Sequence, residues 1–400
     1  MLLRNARIVL PQEVAPYASL NIEDGRITRI SYPQADEPAN AESTIDLEGL
    51  TLFPGFIDIH IHGAVGVDAM EASADDLGRV ASFLARHGVT AWLPTLVPSA
   101  DEQYRRAIEA ITEFITLESE VHSGSLSSGA RALGVHYEGP FVNSEQCGAL
   151  HREHFRTFDS LAGIEGLPTI KHQGAVHLMT LAPEIEGGIE LIKELNHRGW
   201  IVSIGHTRAT PDILDKASEA GARHMTHFMN AMSLLHQRAP GPVGWGLMRD
   251  DVSIDLIADG VHLDPLMLKV LLRCKTPARM SVISDAIAAT GLGDGEYQIW
   301  GEQIVVKDGR TRNAQGNIAG SVATMLDAVR MMRSLGASDP ELACMASLNP
   351  ARLLGMEKEC GSIEVGKRAD LVALDEQGNA QLTFIGGRIA FDVSAETRTS

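Results

Sequence analysis

Eight apolar, β-branched runs recur along this 400-residue chain, with helical patterns between several of them. They are LFPGFIDIHIHG from Leu52, VTAWLPTLV from Val89, ALGVHYEGPF from Ala132 and VHLMTLAPE from Val176. WIVSIGHT from Trp200, HMTHFMNA from His224, VSIDLIADG from Val252 and RMSVISDA from Arg279 follow. ADDLGRVASFLARHG, IEGGIELIKELNHRG and TPDILDKASEAG, in the gaps, are amphipathic at the helical period. Near-continuous apolar strands are buried on both faces, as in a parallel sheet covered by helices. Eight such units in about 250 to 300 residues predict an α/β fold, a closed (β/α)8 TIM barrel. A doubly wound open sheet is the alternative, but no GxGxxG follows the first strand to favour it.

The two chain ends have a different rhythm. Residues 1–52 carry the short alternating runs LLRNARIVL, ASLNIEDGRITRIS and STIDLEGL, with a hairpin expected at Glu23-Asp24-Gly25-Arg26. The tail repeats that style in GSIEVGKRADLVALD and AQLTFIGGRIAFD. Neither end has enough strands for a core of its own. The expected organisation is a small β-sandwich domain from 1–52 plus 355–400, and a barrel at 53–354. Residues 286–320 are Gly-rich, lack a helical period and read as a long loop, a kind that usually serves as a functional loop or lid.

The net charge is −18, from 34 Lys+Arg against 52 Asp+Glu. That argues against nucleic acid or a membrane as partner, although an anionic small substrate needs only a local pair of cations. Cys147, Cys274, Cys344 and Cys360 show no CxxC spacing, so free thiols in a reducing compartment are expected. Arg4, Arg7 and Pro11 interrupt the apolar start, which reads as neither signal peptide nor spanning helix. A soluble, cytoplasmic protein is the expectation.

In a barrel, the C-terminal strand ends face the active site. Here they carry His60 and His62, Glu138, His206, His227, His262 just past the seventh strand, and Asp285 on the eighth. Imidazoles and carboxylates converging from different strands suit a borderline divalent metal. His60 and His62 are two apart, so both face one side of a strand; the alternative is a buried, hydrogen-bonded pair. Glu138 ends an apolar strand, where a carboxylate is costly unless metal-bound, salt-bridged or capping a helix. His206 could instead cap the helix beginning near Pro211, and His227 could be a satisfied core histidine. Asp285 could shuttle a proton between a water and a leaving amine, or cap the following turn. Arg238 and His262 are candidate anion readers, although Arg238 read by itself is a surface side chain in a loop.

Together these strings resemble the N-acetylglucosamine-6-phosphate deacetylases of the amidohydrolase superfamily. PGFIDIHIHG, HYEGPF, VSIGHT, THFMNAM followed by RAPG, ADGVHLDP, SDAIAATGLGDGEY, IAGS and NPARLLGMEKECGSIEVGKRADLVALD occur in the family's order, as far as Asp375. The resemblance implies deacetylation of a phosphorylated amino sugar, with Glu138, His206 and His227 holding a divalent metal, zinc by expectation. His60 and His62 make a second ion possible. Asp285 is implied as general base and then acid, and His151 as the residue polarising the acetyl carbonyl. Ala149, Asn230, Ala231, Arg238, His262, Ile318, Ala319 and Gly320 match substrate-holding positions. A homodimer is implied, with Arg238 acting across its interface.

Three differences from the family stand out. The loop from Asn143 to His151 is one residue longer, which leaves His154 as a second carrier of the carbonyl role. Cys147 replaces a lysine, and Ala239 stands where an acidic residue follows the phosphate arginine. Three other readings compete. One is a deacetylase of N-acetylgalactosamine 6-phosphate or another N-acyl amino sugar. Another is a cyclic-amide hydrolase with a carbamylated lysine, but the Ala132 and Val176 strands contain no lysine. The third is a non-catalytic barrel scaffold, which would be expected to have lost a ligand or Asp285.

Overall fold

The computed structural model describes residues 1–32, 43–121 and 129–396. Each apolar run supplies one strand of a parallel barrel. In order these are Phe56–Ile61, Val89–Leu96, Gly134–Glu138, Val176–Leu181, Ile201–Ile204, His224–Met225, Ser253–Ile257 and Met280–Ile283. Consecutive strands pair in parallel, from Ile57↔Ala91 to Ile257↔Ile283. The last strand meets the first beyond its end, where Asp285 N donates to His60 O at 2.9 Å and His62 N to Ala286 O at 2.8 Å. Asp58, buried in the first strand, accepts from the hydroxyl and backbone N–H of Ser284 beside the last.

The expected helices cover the outside. Ser73 and Asp76 form a capping box at the start of Ala74–Arg86, which buries Leu77, Val80, Ala81 and Leu84. Gly188–His197 and Pro211–Ala220 are the other two, and the N-cap position of the latter is Thr210. His206 is therefore not that helix's cap.

Both chain ends contribute to one eight-stranded sheet. Its order is Arg388–Asp392, Ala380–Ile385, Leu371–Leu374, Thr51–Pro54, Leu2–Val9, Val14–Glu23 and Arg26–Ser31, with Thr44–Asp46 also paired to Leu2–Val9. The hairpin expected at residues 23–26 is present, with Glu23 opposite Arg26. Leu3, Ile8, Leu20, Ile27, Leu52, Leu371 and Phe384 form this sheet's apolar cluster. Thr51–Pro54 runs straight into the first barrel strand through Gly55, where a Cβ would stand 2.2 Å from Thr90 Cγ2. Only glycine allows that approach.

Residues 286–320 differ from the plain loop expected. Gly295–Ile299, Glu302–Lys307 and Arg310–Arg312 form a three-stranded antiparallel meander. Ile304 and Val306 are buried on one face while their neighbours are exposed. This alternation stands in the sequence as QIVVK, but flanking glycines dominate its composition.

A buried ion cluster lies where the barrel meets the tail. Asp370 pairs with Arg131 at 2.9 Å and Arg368 at 3.3 Å, and accepts from Gly386 N at 2.7 Å. Burial would raise its carboxyl pKa, but the two arginines hold it below the ordinary range. Asp370→Ala leaves buried guanidinium without its anion and is expected to cost about 3–5 kcal/mol. Arg368→Met leaves the Arg131 pair intact and is expected to cost less. The two urea midpoints, read by circular dichroism, check this order.

Candidate active site

The barrel mouth turns its polar residues inward by means of unusual backbone. His206, His227 and Asp285 have φ of 47°, 33° and 51°, and Ala231 has 48°. Side-chain-bearing residues rarely adopt this left-handed region, and each instance costs on the order of 1–3 kcal/mol. Here that cost comes with the aim of three site side chains toward one point.

The centre of the cluster they join is Glu138. Its Oε1 lies 2.9 Å from Nε2 of both His206 and His227, which are 3.1 Å from each other. Its Oε2 lies 3.3 Å from His62 Nε2, and Oε1 lies 3.7 Å from His60 Nε2. Asp285 Oδ1 stands 3.2 Å from Nε2 of both His60 and His62. All six residues are buried. Two groups able to hold a metal result, His60–His62–Glu138 and Glu138–His206–His227, with Glu138 common to both.

The protonation chemistry fits a cation. His206 Nδ1 lies 2.7 Å from the Gln146 carbonyl, so it carries the proton and Nε2 of a neutral ring is a lone pair facing Glu138. His62 is similar, with Nδ1 3.3 Å from the Thr95 carbonyl and Nε2 facing two carboxylates. Lone pairs facing carboxylate oxygens in a dry site repel unless positive charge lies between them. Protons alone can meet this need. Burial lowers the His62 pKa, but hydrogen bonds to Asp285 and Glu138 outweigh it and raise it to about 10. Burial opposes the same rise in His227, which Glu138 carries to about 9. Conversely, burial would raise the Glu138 and Asp285 carboxyls, while the histidines, His60 foremost, hold both low. A divalent cation on the same lone pairs would replace those protons, and two imidazoles with a carboxylate form a metal-binding donor set.

Above the cluster lies a cavity of about 480 Å³. His62, Glu138, Ala149, His206, His227, Asn230, Ala231, His262, Asp285, Ile318 and Gly320 all line it. His60 is fully buried at its base, and Ala319 is buried beneath the wall. Three of the expected residues are elsewhere. His151 lies 3.3 Å from Glu153 and 3.8 Å from Glu302, outside the lining, and His154 is also outside. Arg152, between them, lines the cavity and donates to Cys147 Sγ at 3.2 Å. It places a positive charge on this loop at the cavity. Arg238 lies on the exposed loop and does not reach the cavity of its own chain.

Sequence reasoning passed over the acids that aim the site. Asp58 accepts from His60 N and from Ser284, fixing two site segments at once, and burial pushes it up to about 6. Asp255 accepts from His227 N and lies 2.9 Å from His224 Nε2. Asp259 lies 2.8 Å from His262 Nδ1, leaving Nε2 for the cavity. Glu184 braces Asn143, Thr207 and Arg208. The signal for the first two was a carboxylate two or three residues along an apolar strand, where no solvent is available.

Residues 51–390 match the amidohydrolase family. The N-acetylglucosamine-6-phosphate deacetylase of Bacillus subtilis strain 168 is 36% identical over 394 residues, covering 98% of this chain and 97% of that protein. The N-acetylgalactosamine-6-phosphate deacetylase of Escherichia coli O157:H7 is 36% identical over 389 residues, 97% of this chain and 98% of that one. In solved structures, a mutant N-acetyl-D-glucosamine-6-phosphate deacetylase of Mycobacterium smegmatis, in complex with N-acetyl-D-glucosamine-6-phosphate, superposes with a TM-score of 0.83. It is 31% identical and covers 98% of this chain and 99% of that one.

The shared carboxylate makes a stoichiometric prediction. Glu138→Gln is expected to remove metal from both groups, whereas His62→Asn should leave the His206–His227 group loaded. Elemental analysis of protein dialysed against each metal distinguishes the two results.

Proposed function

The chain belongs to the amidohydrolase family, and from that membership and its site geometry we propose that it hydrolyses the N-acetyl group of N-acetylglucosamine 6-phosphate. The products are acetate and glucosamine 6-phosphate. The observation that carries this reading is the placement of Asp285 and the Glu138-centred groups on one cavity with Asn230, Ala231 and His262. Glu138, His206 and His227 would hold the main divalent cation. His60 and His62, with Glu138, would hold a second where two are bound. Nitrogen-rich, borderline donors favour zinc. When bound, the cation supplies Lewis acidity for the amide carbonyl and lowers the pKa of water.

The chain's own groups do the rest. Asp285 is kept ionised by His60 and His62, so it can take a proton from the attacking water. It then returns the proton to the leaving amine. His262, whose Nδ1 faces Asp259, stands at the phosphate end of the cavity with Asn230 and Ala231. Ile318, Ala319 and Gly320 line the sugar as backbone, and Ala149 flanks it. Binding energy from the phosphate, remote from the reacting bond, orients the acetyl group. His151 is assigned to the acetyl carbonyl, which requires the 143–154 loop to turn it from Glu302 into the cavity.

Arg238 is assigned to the phosphate of the other subunit's site. Leu234, Leu235 and Met248 flank it on the same loop and the following helix, and are 83%, 53% and 81% exposed. A homodimer covering this apolar face would bring Arg238 of the partner subunit to each cavity. The four cysteines are free, in keeping with a cytoplasmic protein. No helix among the described residues is long and apolar enough to cross a membrane. A second reading, the N-acetylgalactosamine epimer as substrate, is favoured by the equally identical Escherichia coli relative.

Acetate release from the two epimeric 6-phosphates and from unphosphorylated N-acetylglucosamine tests the assignment. Turnover confined to a phosphorylated sugar is expected, and turnover of the plain sugar at equal kcat/KM would overturn the phosphate readers. Asp285→Asn should lower kcat by about 10²–10⁴ with little change in KM. Arg238→Ala should raise KM, and mixing it with Asp285→Asn subunits should restore low-KM turnover that neither homodimer has. Failure to complement would place Arg238 outside the partner's site.

A further inference from the structure

The meander carries one residue into the cavity, and the chemistry proposed above does not use it. Trp300 and Gly301 form the two-residue turn between Ile299 and Glu302, which face each other in the ladder. Both are left-handed, with φ of 53° and 75°. Gly301 adopts that geometry freely, whereas an indole-bearing residue there is strained. Contacts hold it in place. The ring meets His62 edge to face, with centroids 5.1 Å apart and planes at 82°. The side chain also packs on the apolar cluster of Ile287, Ile299 and Ile304, against which Ala149 packs too. Burial pushes the Asp68 carboxyl up to about 6, and the Trp300 indole is among the groups that oppose that rise.

Trp300 thus stands on the His62 side of the metal-binding groups. Asn230, Ala231 and His262, proposed for the phosphate, lie in the loops that follow the sixth and seventh strands. A substrate whose sugar phosphate lies toward those residues, with its amide at Asp285, points its acyl carbon chain toward the first strand. There the ring is a large apolar surface beside the reacting carbonyl. We propose that Trp300 is the end wall of the acyl pocket and restricts the enzyme to short N-acyl groups. This rests on the N-acyl sugar phosphate reading of the site and adds to it a specificity-determining residue.

The test compares N-acetyl, N-propionyl and N-butyryl glucosamine 6-phosphate on wild type, Trp300→Phe and Trp300→Ala. Wild type should favour acetyl, because each excess methylene meets the ring. In Trp300→Ala the acetyl-to-butyryl ratio of kcat/KM should fall at least about tenfold, with Trp300→Phe between the two. A binding measurement stands beside the rates. Trp92, Trp200 and Trp245 are buried, 0%, 7% and 7% exposed, and none lines the cavity. On an Asp285→Asn background, N-acetylglucosamine 6-phosphate should therefore change tryptophan fluorescence, and Trp300→Phe should abolish the change. An equal loss for every acyl length, with the fluorescence response retained in Trp300→Phe, would reduce Trp300 to support of the meander and overturn the proposal. Wild type that hydrolyses none of the three would overturn the substrate reading itself and this inference with it, a pattern recognisable before any variant is made.

Discussion

Glu138 is the constraint around which the site is organised. A carboxylate removed from water must find compensating charge nearby, and the Coulomb term grows as the dielectric falls. Four imidazoles from three other strands supply the partners, with one carboxylate oxygen near both His206 and His227. None of those strands is adjacent to another in the sequence of the fold except the fifth and sixth. The charge requirement of one side chain therefore ties the first, third, fifth and sixth strands to a common centre. A parallel barrel is well suited to this, because all its strand ends open on the same face.

Such a centre is exacting to build, and the barrel commits further carboxylates to building it. Asp58 grips both His60 N and Ser284, so the first and last strands cannot slide without moving His60 and Asp285 together. Asp255 holds the backbone of His227 in its left-handed turn. Asp259 fixes the ring of His262. In each case an acid that does no chemistry fixes the direction of a residue beside the reaction. The strain at His227, and in the turn from Ser284 to Asp285, is supportable because those hydrogen bonds over-determine the conformation.

The barrel was legible because its signal is repetition. Eight apolar runs separated by helical patterns leave few topologies, and each run proved to be a strand. The cluster able to hold a metal was legible because a histidine or carboxylate ending an apolar run has few alternatives to a shared site. The meander at 295–312 was not, because its alternation is short and lies among glycines that read equally as loop. The placement of His151 outside the cavity was not legible either. Two 3-10 turns, Ser144–Gln146 and Arg152–His154, set the side-chain directions in that loop. Sequence spacing fixes faces in helices and strands; in irregular turns it does not.

The same loop explains how an acidic protein can receive an anion. With 34 basic against 52 acidic side chains, the field of the whole chain does not steer a sugar phosphate inward. At physiological ionic strength the distant charges are screened beyond about 8 Å, so the local arrangement decides. Inside the cavity the carboxylates face histidines, and the cation implied by the donor set would balance them further. The lining holds one arginine, Arg152, together with His262, whose Nδ1 faces Asp259. Selectivity for an anion is thus compatible with a net charge of the same sign, because recognition depends on the few groups a ligand can touch.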